Sequence, residues 1–181
     1  MYLVDKEIAY LAKQGMLTPF VDYLVESTGR PSYGLSSCGY DVRLAPEWKT
    51  FKNIDIVRDM SDTNKEAWFD YLEAPSYTIP PLGFVLARTL EYVKLPDDVM
   101  ATLYCKSSLA RCGVVLPPTV IEPGWEGNIV VETFNQSPVP ITIHAKDGIG
   151  QLLFSGLSTT PARPYDSSRK YHKQTGIIVA K

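Results

Sequence analysis

The sequence predicts a mainly β protein with a few short helices. Three observations carry that prediction. Short β-prone runs recur along most of the chain, divided by Pro, Gly, Asn and Asp. The 14 prolines and 12 glycines are spread as turn punctuation rather than gathered into a linker. Helical periodicity, by contrast, is confined to the N-terminus and to one brief run near the middle.

In chain order, "DKEIAYLAKQG" opens on a capping residue, Asp5. It sets Ile8, Leu11 and Ala12 on one face and stops at Gly15, as an amphipathic helix does. The β-prone runs follow: "GYDVRLAPEW", "SYTIPP", "GFVLARTLEYVKLP", "VMATLYC", "GNIVVETFN", "VPITIH" and "IGQLLFSGL". Residues 52–75 are the least regular part and read as a surface excursion. After "VMATLYC", "SSLAR" begins like a helix, with Ser107 or Ser108 at the cap and Leu109 and Ala110 as good formers. "VIEPGWEGN" reads as a hairpin turning on Pro123, Gly124 and Gly127, which returns Glu122 to the strand that carries Glu132. The final segment, "RPYDSSRKYHKQTGIIVAK", holds five basic side chains against one acid.

At 181 residues the chain suits a single domain, 1–181, with a basic tail at about 161–181. Its net charge of −2 gives no global reason to bind nucleic acid or an anionic membrane, so an anionic ligand has to be held locally. Asp5, Lys6 and Glu7 interrupt any apolar signal core, and no apolar run is long enough to span a bilayer. The expected location is the cytoplasm, or the host cytoplasm for a viral protein. Three cysteines, an odd number, suit a reducing compartment.

"YCKSSLARCG" concentrates the candidate chemistry. A zinc site of the usual deaminase kind needs H-x-E and C-x-x-C patterns, which the sequence lacks; the spacing of seven between Cys105 and Cys112 matches no usual ligand pair. Both cysteines read instead as small buried residues. A serine nucleophile needs a base, yet Lys106 directly precedes Ser107, so their side chains diverge, and neither histidine lies in a triad context. Two readings stay open. One is a phosphate cradle made of a helix N-terminus, two hydroxyls and Lys106, with Ser107 and Arg111 on one face; the other is an ordinary capped turn with a solvated arginine. Glu132 is similarly two-sided. Alternation puts Val130, Glu132 and Phe134 on one face of a strand and Ile129, Val131, Thr133 and Asn135 on the other. The carboxylate is either a solvated strand residue or a desolvated one whose raised pKa suits proton transfer.

Taken together, "SSCGYDVRLAPEWKTFKNI", "CKSSLARCG", "TVIEPGWEGNIVVETFN", "GIGQLLF" and "RPYDSSRKYHKQTG" resemble the dCTP deaminases of the dUTPase-like superfamily, over nearly the whole length. That resemblance implies a distorted jelly-roll-like β-barrel with one or two short helices. It implies hydrolytic deamination of dCTP to dUTP and ammonia, without zinc. Glu132 would be the general base and acid, with Ser107 and Arg111 positioning the water and the 4-amino group. Lys106, Ser107 and Ser108 would hold the nucleotide's phosphates, and Leu109 and Ala110 of the same run would also be substrate-binding. Glu122 would meet the sugar 3′-hydroxyl, the backbone of Val130 and Val131 would line the pocket, and Gln151 would contact the nucleotide. Tyr165, Lys170 and Gln174 would close over the triphosphate, whose Mg²⁺ arrives as a substrate partner. A homotrimer or dimer of trimers with sites between subunits, and feedback by dTTP, belong to the same implication. Two departures stand out: Cys105 replaces a glycine usual before "KSS", and Pro117 and Pro118 precede Thr119 in the base-reading segment.

The nearest rival, a dUTPase, usually shows an "R-S-G-L" cradle and an aspartate in the hairpin, where this chain has "K-S-S-L-A-R" and Glu122. A bifunctional deaminase and dUTPase, a deaminase of dCMP or a modified cytosine nucleotide, and a non-catalytic nucleotide-binding module complete the alternatives.

Overall fold

The computed structural model describes residues 1–52 and 55–181; residues 53 and 54, within the expected surface excursion and at the end of "SSCGYDVRLAPEWKTFKNI", lie outside the described residues. Helix α1, Asp5–Lys13, forms where the periodicity places it and buries Ile8 and Ala12. Its cap is Val4 rather than Asp5. The Val4 amide donates to the Glu7 carboxylate at 3.0 Å, so the acid three residues on, not a side chain at the cap, satisfies the first turn.

Strands follow in order: β1 Leu17–Thr18, β2 Leu24–Ser27, β3 Arg30–Ser36, β4 Gly39–Arg43 and β5 Glu47–Phe51. After a 3₁₀ turn at Lys65–Trp68 come β6 Phe69–Glu73, β7 Ser76–Ile79, β8 Phe84–Lys94 and β9 Val99–Cys105. Helix α2, Ser107–Ala110, leads to β10 Val114–Val115, β11 Thr119–Ile121, β12 Glu126–Asn135, β13 Ile141–His144 and β14 Gly148–Gly156. The first sheet runs β10-β12-β8-β5-β6, with β1 also on β8. The second runs β11-β9-β14-β4-β3-β2, and β7 pairs with β13.

One core lies between the two large sheets. Trp48, Val85, Ala87 and Val131 come from the first, and Tyr40, Val42, Leu103, Leu152 and Phe154 from the second. Burial of each large side chain stabilises the sandwich by roughly 1.5–3 kcal/mol before entropy is counted. The arrangement is the mainly β, jelly-roll-like one expected, although among the described residues the sheets do not close into a barrel.

Two expectations need correction. The stretch 52–75 is not an excursion throughout, because Phe69–Glu73 pairs with β5 and completes an edge of the first sheet. The "VIEPGWEGN" turn is real: the Trp125 amide donates to the Glu122 carbonyl at 3.1 Å and Gly124 takes φ +80. Its flanking strands do not pair, however. β11 lies on β9 and β12 on β8, so the turn is a corner between sheets rather than a hairpin.

Candidate functional site

Alternation in β12 turns Val131, Thr133 and Asn135 into the core and leaves Val130, Glu132 and Phe134 on the outer face of the first sheet. On that face Glu132 stands opposite Leu86 of β8, and Leu86 stands opposite Lys49 of β5. A cavity of about 490 Å³ opens there. Glu132, Val130, Glu122, Trp125, Phe84 and Leu86 form its floor and one wall, and Phe69 and Trp68 form another. Burial in this apolar surrounding pushes the Glu132 carboxyl above its ordinary 4.5. Of its two open readings, the desolvated one is what the fold produces.

The C-terminal tail roofs the cavity. The Tyr165 amide donates to the Pro123 carbonyl (2.8 Å) and that of Lys173 to Glu126 (2.7 Å); Gln174 and Asn128 exchange bonds of 2.8 and 2.9 Å. A Cβ on Gly127 would lie 2.9 Å from the Gln174 carbonyl oxygen, so glycine lets the tail lie flat on β12. Beyond Gln174, the Ile177 carbonyl accepts from the buried Lys49 ammonium at 2.8 Å, and Lys49 also pairs with Glu66. Tyr165 and Gln174 line the cavity, as do Ile178, Val179 and Ala180. Lys170 does not; its ammonium donates to the Lys181 carbonyl at 3.1 Å. The Val131 side chain is also absent from the lining, being buried in the core.

The second group of candidates sits elsewhere. β9 runs directly into α2, whose cap is Lys106 rather than a serine: the Lys106 carbonyl accepts from the amides of Leu109 and Ala110 at 3.0 Å. The amides of Ser107 and Ser108 precede the first of these bonds. Ser107, Ser108 and Arg111 are exposed, and the helical backbone puts Ser107 and Arg111 on one side. Ser108 and Leu109 border a second cavity of about 850 Å³ that Ser32, His144, Asp147 and Gly148 also line. Gln151 is on the outer face of the second sheet, opposite Asp41, and donates to Ser36 Oγ at 3.1 Å. The Lys106 ammonium lies over the same face, paired with Asp41 and donating to Ser32 Oγ at 3.0 Å. None of Lys106, Ser107, Ser108, Leu109, Ala110, Arg111 or Gln151 lines the Glu132 cavity. Within one chain the carboxylate and the cradle candidates are thus apart, as two candidate half-sites, with the core of the sandwich between Glu132 and the Lys106–Gln151 face.

The cysteines are not buried as a pair: Cys105 is half-buried and Cys112 exposed. Burial pushes the Cys105 thiol up, and it donates to the Val114 carbonyl at 3.4 Å. Among the described residues no group of three His, Cys, Asp or Glu side chains converges as metal ligands would, and no helix is long and apolar enough to cross a membrane. Sequence reasoning missed Asp41, Ser32 and Lys49, which the fold brings against Lys106 and the tail.

The sequence model of the dCTP deaminase-like family matches residues 2–157. A dCTP deaminase of Herpetosiphon aurantiacus is 42% identical over 178 residues, covering 97% of this chain and 96% of that protein. One from Sulfurovum sp. is 42% identical over 168 residues, covering 92% and 88%. In fold, the chain is similar to the crystal structure of 2′-deoxycytidine 5′-triphosphate deaminase from Agrobacterium tumefaciens, with a TM-score of 0.63 at 17% identity; the match covers 84% of this chain and 47% of that one. With the family model spanning residues 2–157, Glu132 and the Lys106–Arg111 run included, and a relative 42% identical over 97% of the chain, the chain belongs to the dCTP deaminase-like family.

Proposed function

We propose that this protein is a dCTP deaminase, converting dCTP and water to dUTP and ammonia and so supplying dUTP and dUMP for thymidylate synthesis. The observation that carries the reading is the half-buried Glu132, its proton affinity raised by burial, facing a cavity large enough for a nucleoside. The kinship with dCTP deaminases supports the substrate.

Glu132 takes a proton from water as the oxygen adds to C4 of cytosine. It then delivers that proton to the amino nitrogen, the C4–N bond breaks and ammonia leaves, while the added hydroxyl becomes the C4 carbonyl and its proton ends on N3. A carboxyl whose pKa is raised toward neutrality serves both transfers. Ser107 and Arg111 hold the water and the 4-amino group and stabilise charge as it develops. Lys106, Ser107 and Ser108 take the phosphates, and Leu109 and Ala110 of the same run also bind the substrate. Glu122 takes the 3′-hydroxyl, Gln151 contacts the nucleotide, and the backbone at Val130 and Val131 lines the base pocket. Tyr165, Lys170 and Gln174 belong to the closing segment, 161–181. Mg²⁺ enters on the triphosphate, and zinc has no part, in keeping with a sequence without H-x-E or C-x-x-C. The half-sites join between copies in a homotrimer, alone or as a dimer of trimers, and dTTP acts as a feedback ligand. The compartment is the cytoplasm.

Incubation of the purified protein with dCTP and Mg²⁺, with chromatographic separation of products, tests the reading. dUTP is the expected product; no turnover of dCTP, dCMP or dUTP would refute an enzymatic role, and dUMP with pyrophosphate would replace it with the bifunctional one.

A further inference from the structure

We propose that Asp41 is a positioning residue of the phosphate cradle, fixing the ammonium of Lys106 from below while leaving one of its donors free to reach the substrate. The inference rests on the assignment of Lys106 to phosphate binding.

Asp41 lies on β4 between the core residues Tyr40 and Val42, so its side chain points away from the core, yet it is only 3% exposed. What covers it is Lys106. The ammonium pairs with Asp41 Oδ2 and donates to Ser32 Oγ at 3.0 Å, and Ser32 Oγ in turn donates to Asp41 Oδ2 at 3.3 Å. These three atoms form a closed triangle. Lysine has three N–H donors, and two are used here, which leaves one for a phosphate oxygen. The side chain of Lys106 is 10% exposed, so its charge would be poorly solvated without the carboxylate.

The walls of the slot are also built for this lysine. A Cβ on Gly148 would lie 1.8 Å from the Ser32 carbonyl oxygen and 3.3 Å from Lys106 Cδ. Only glycine lets β14 start close enough to press Ser32 and the lysine stem together. Gly148 and Ser32 line the second cavity beside Ser108, so the slot opens toward the cradle's hydroxyls. Asp41 Oδ1 is buried with no hydrogen-bond partner, a costly arrangement for a carboxylate whose task is packing alone. It is understandable if the group is kept for its charge. A fixed ammonium binds triphosphate with less loss of side-chain freedom than a mobile one.

The test is a double-mutant cycle on the full-length enzyme, read as KM and kcat for dCTP and as inhibition by inorganic tripolyphosphate. Asp41→Asn should raise the KM for dCTP and the inhibition constant of tripolyphosphate together, each by about tenfold, with kcat changed less than KM. Ser32→Ala should do the same by about threefold, and serves if Asp41→Asn fails to fold. On a Lys106→Met background neither change should add anything, because the group they act through is gone. Additive losses on that background, or a fall confined to kcat, would show that Asp41 and Ser32 serve only the fold and would overturn the proposal while leaving the cradle in place. An unchanged KM in Lys106→Met itself would reject the cradle assignment and this proposal with it.

Discussion

In the proposed reaction Glu132 must be charged to take a proton from water and neutral to give it back, and its surroundings set the balance. Burial holds the carboxyl above 4.5 without an opposing cation among the contributing groups. The folded chain therefore binds this proton more tightly than the unfolded chain does. The resulting stability is fully present below 4.5 and is lost as pH rises through the raised folded-state pKa. Glu132→Gln has no charge to bury, so its Tm should match that of the parent in acid and exceed it at neutral pH. The same variant should lose about 10²- to 10⁴-fold in kcat while still binding dCTP. Thermal melts across pH beside a turnover assay check both parts; near-normal turnover would place the base elsewhere. The placement of this carboxylate was legible beforehand, because period-two alternation put it on an apolar face. Asp41 and Lys49 were not legible: their key partners lie 65 and 128 residues away, and no local pattern registers such distances.

At the scale of elements, the long strands β8, β9 and β12 announced themselves through unbroken β-prone runs. β3 did not, since Pro31, Ser32 and Gly34 read as turn residues, yet it pairs with both β2 and β4. The corner at Glu122–Trp125 shows the limit most clearly: a turn's local chemistry was right, while the identity of the strands beside it depends on sheet pairing decided far away. The tail is an element of the same sort. Its hydrogen bonds to Pro123, Glu126 and Asn128 lay it along β12, and Lys49 anchors its far end through Ile177. Lys49→Met preserves most of the side-chain volume but removes a charge-assisted bond to that carbonyl, worth about 1.5–3 kcal/mol. The roof should loosen: amide exchange at 173–178 should quicken, and the KM for dCTP should rise by about tenfold. Unchanged exchange there would mean that the tail is held by β12 alone.

At the scale of the molecule, Glu132 and its cavity occupy the outer face of one sheet, while Lys106 and Gln151 lie against the outer face of the other. A sandwich cannot fold one face onto the opposite one without giving up the core between them, so the proposed site, if built from both faces, would take its two halves from different copies. In the proposed homotrimer, head-to-tail contacts closing into a ring would achieve this, each copy lending its carboxylate face to one neighbour and its cradle to the other. That geometry predicts complementation between dead variants. Glu132→Gln supplies an intact cradle and Ser107→Ala an intact base, and each should be inactive alone. Co-refolded in equal amounts into mixed rings, they should place a sound base against a sound cradle in about one site in four, restoring roughly a quarter of parental activity. A site contained in one chain would stay dead in every mixture, because each copy would carry its own defect. The size of the recovery thus reads out, without a structure of the assembly, whether Glu132 and Ser107 meet across a boundary between copies.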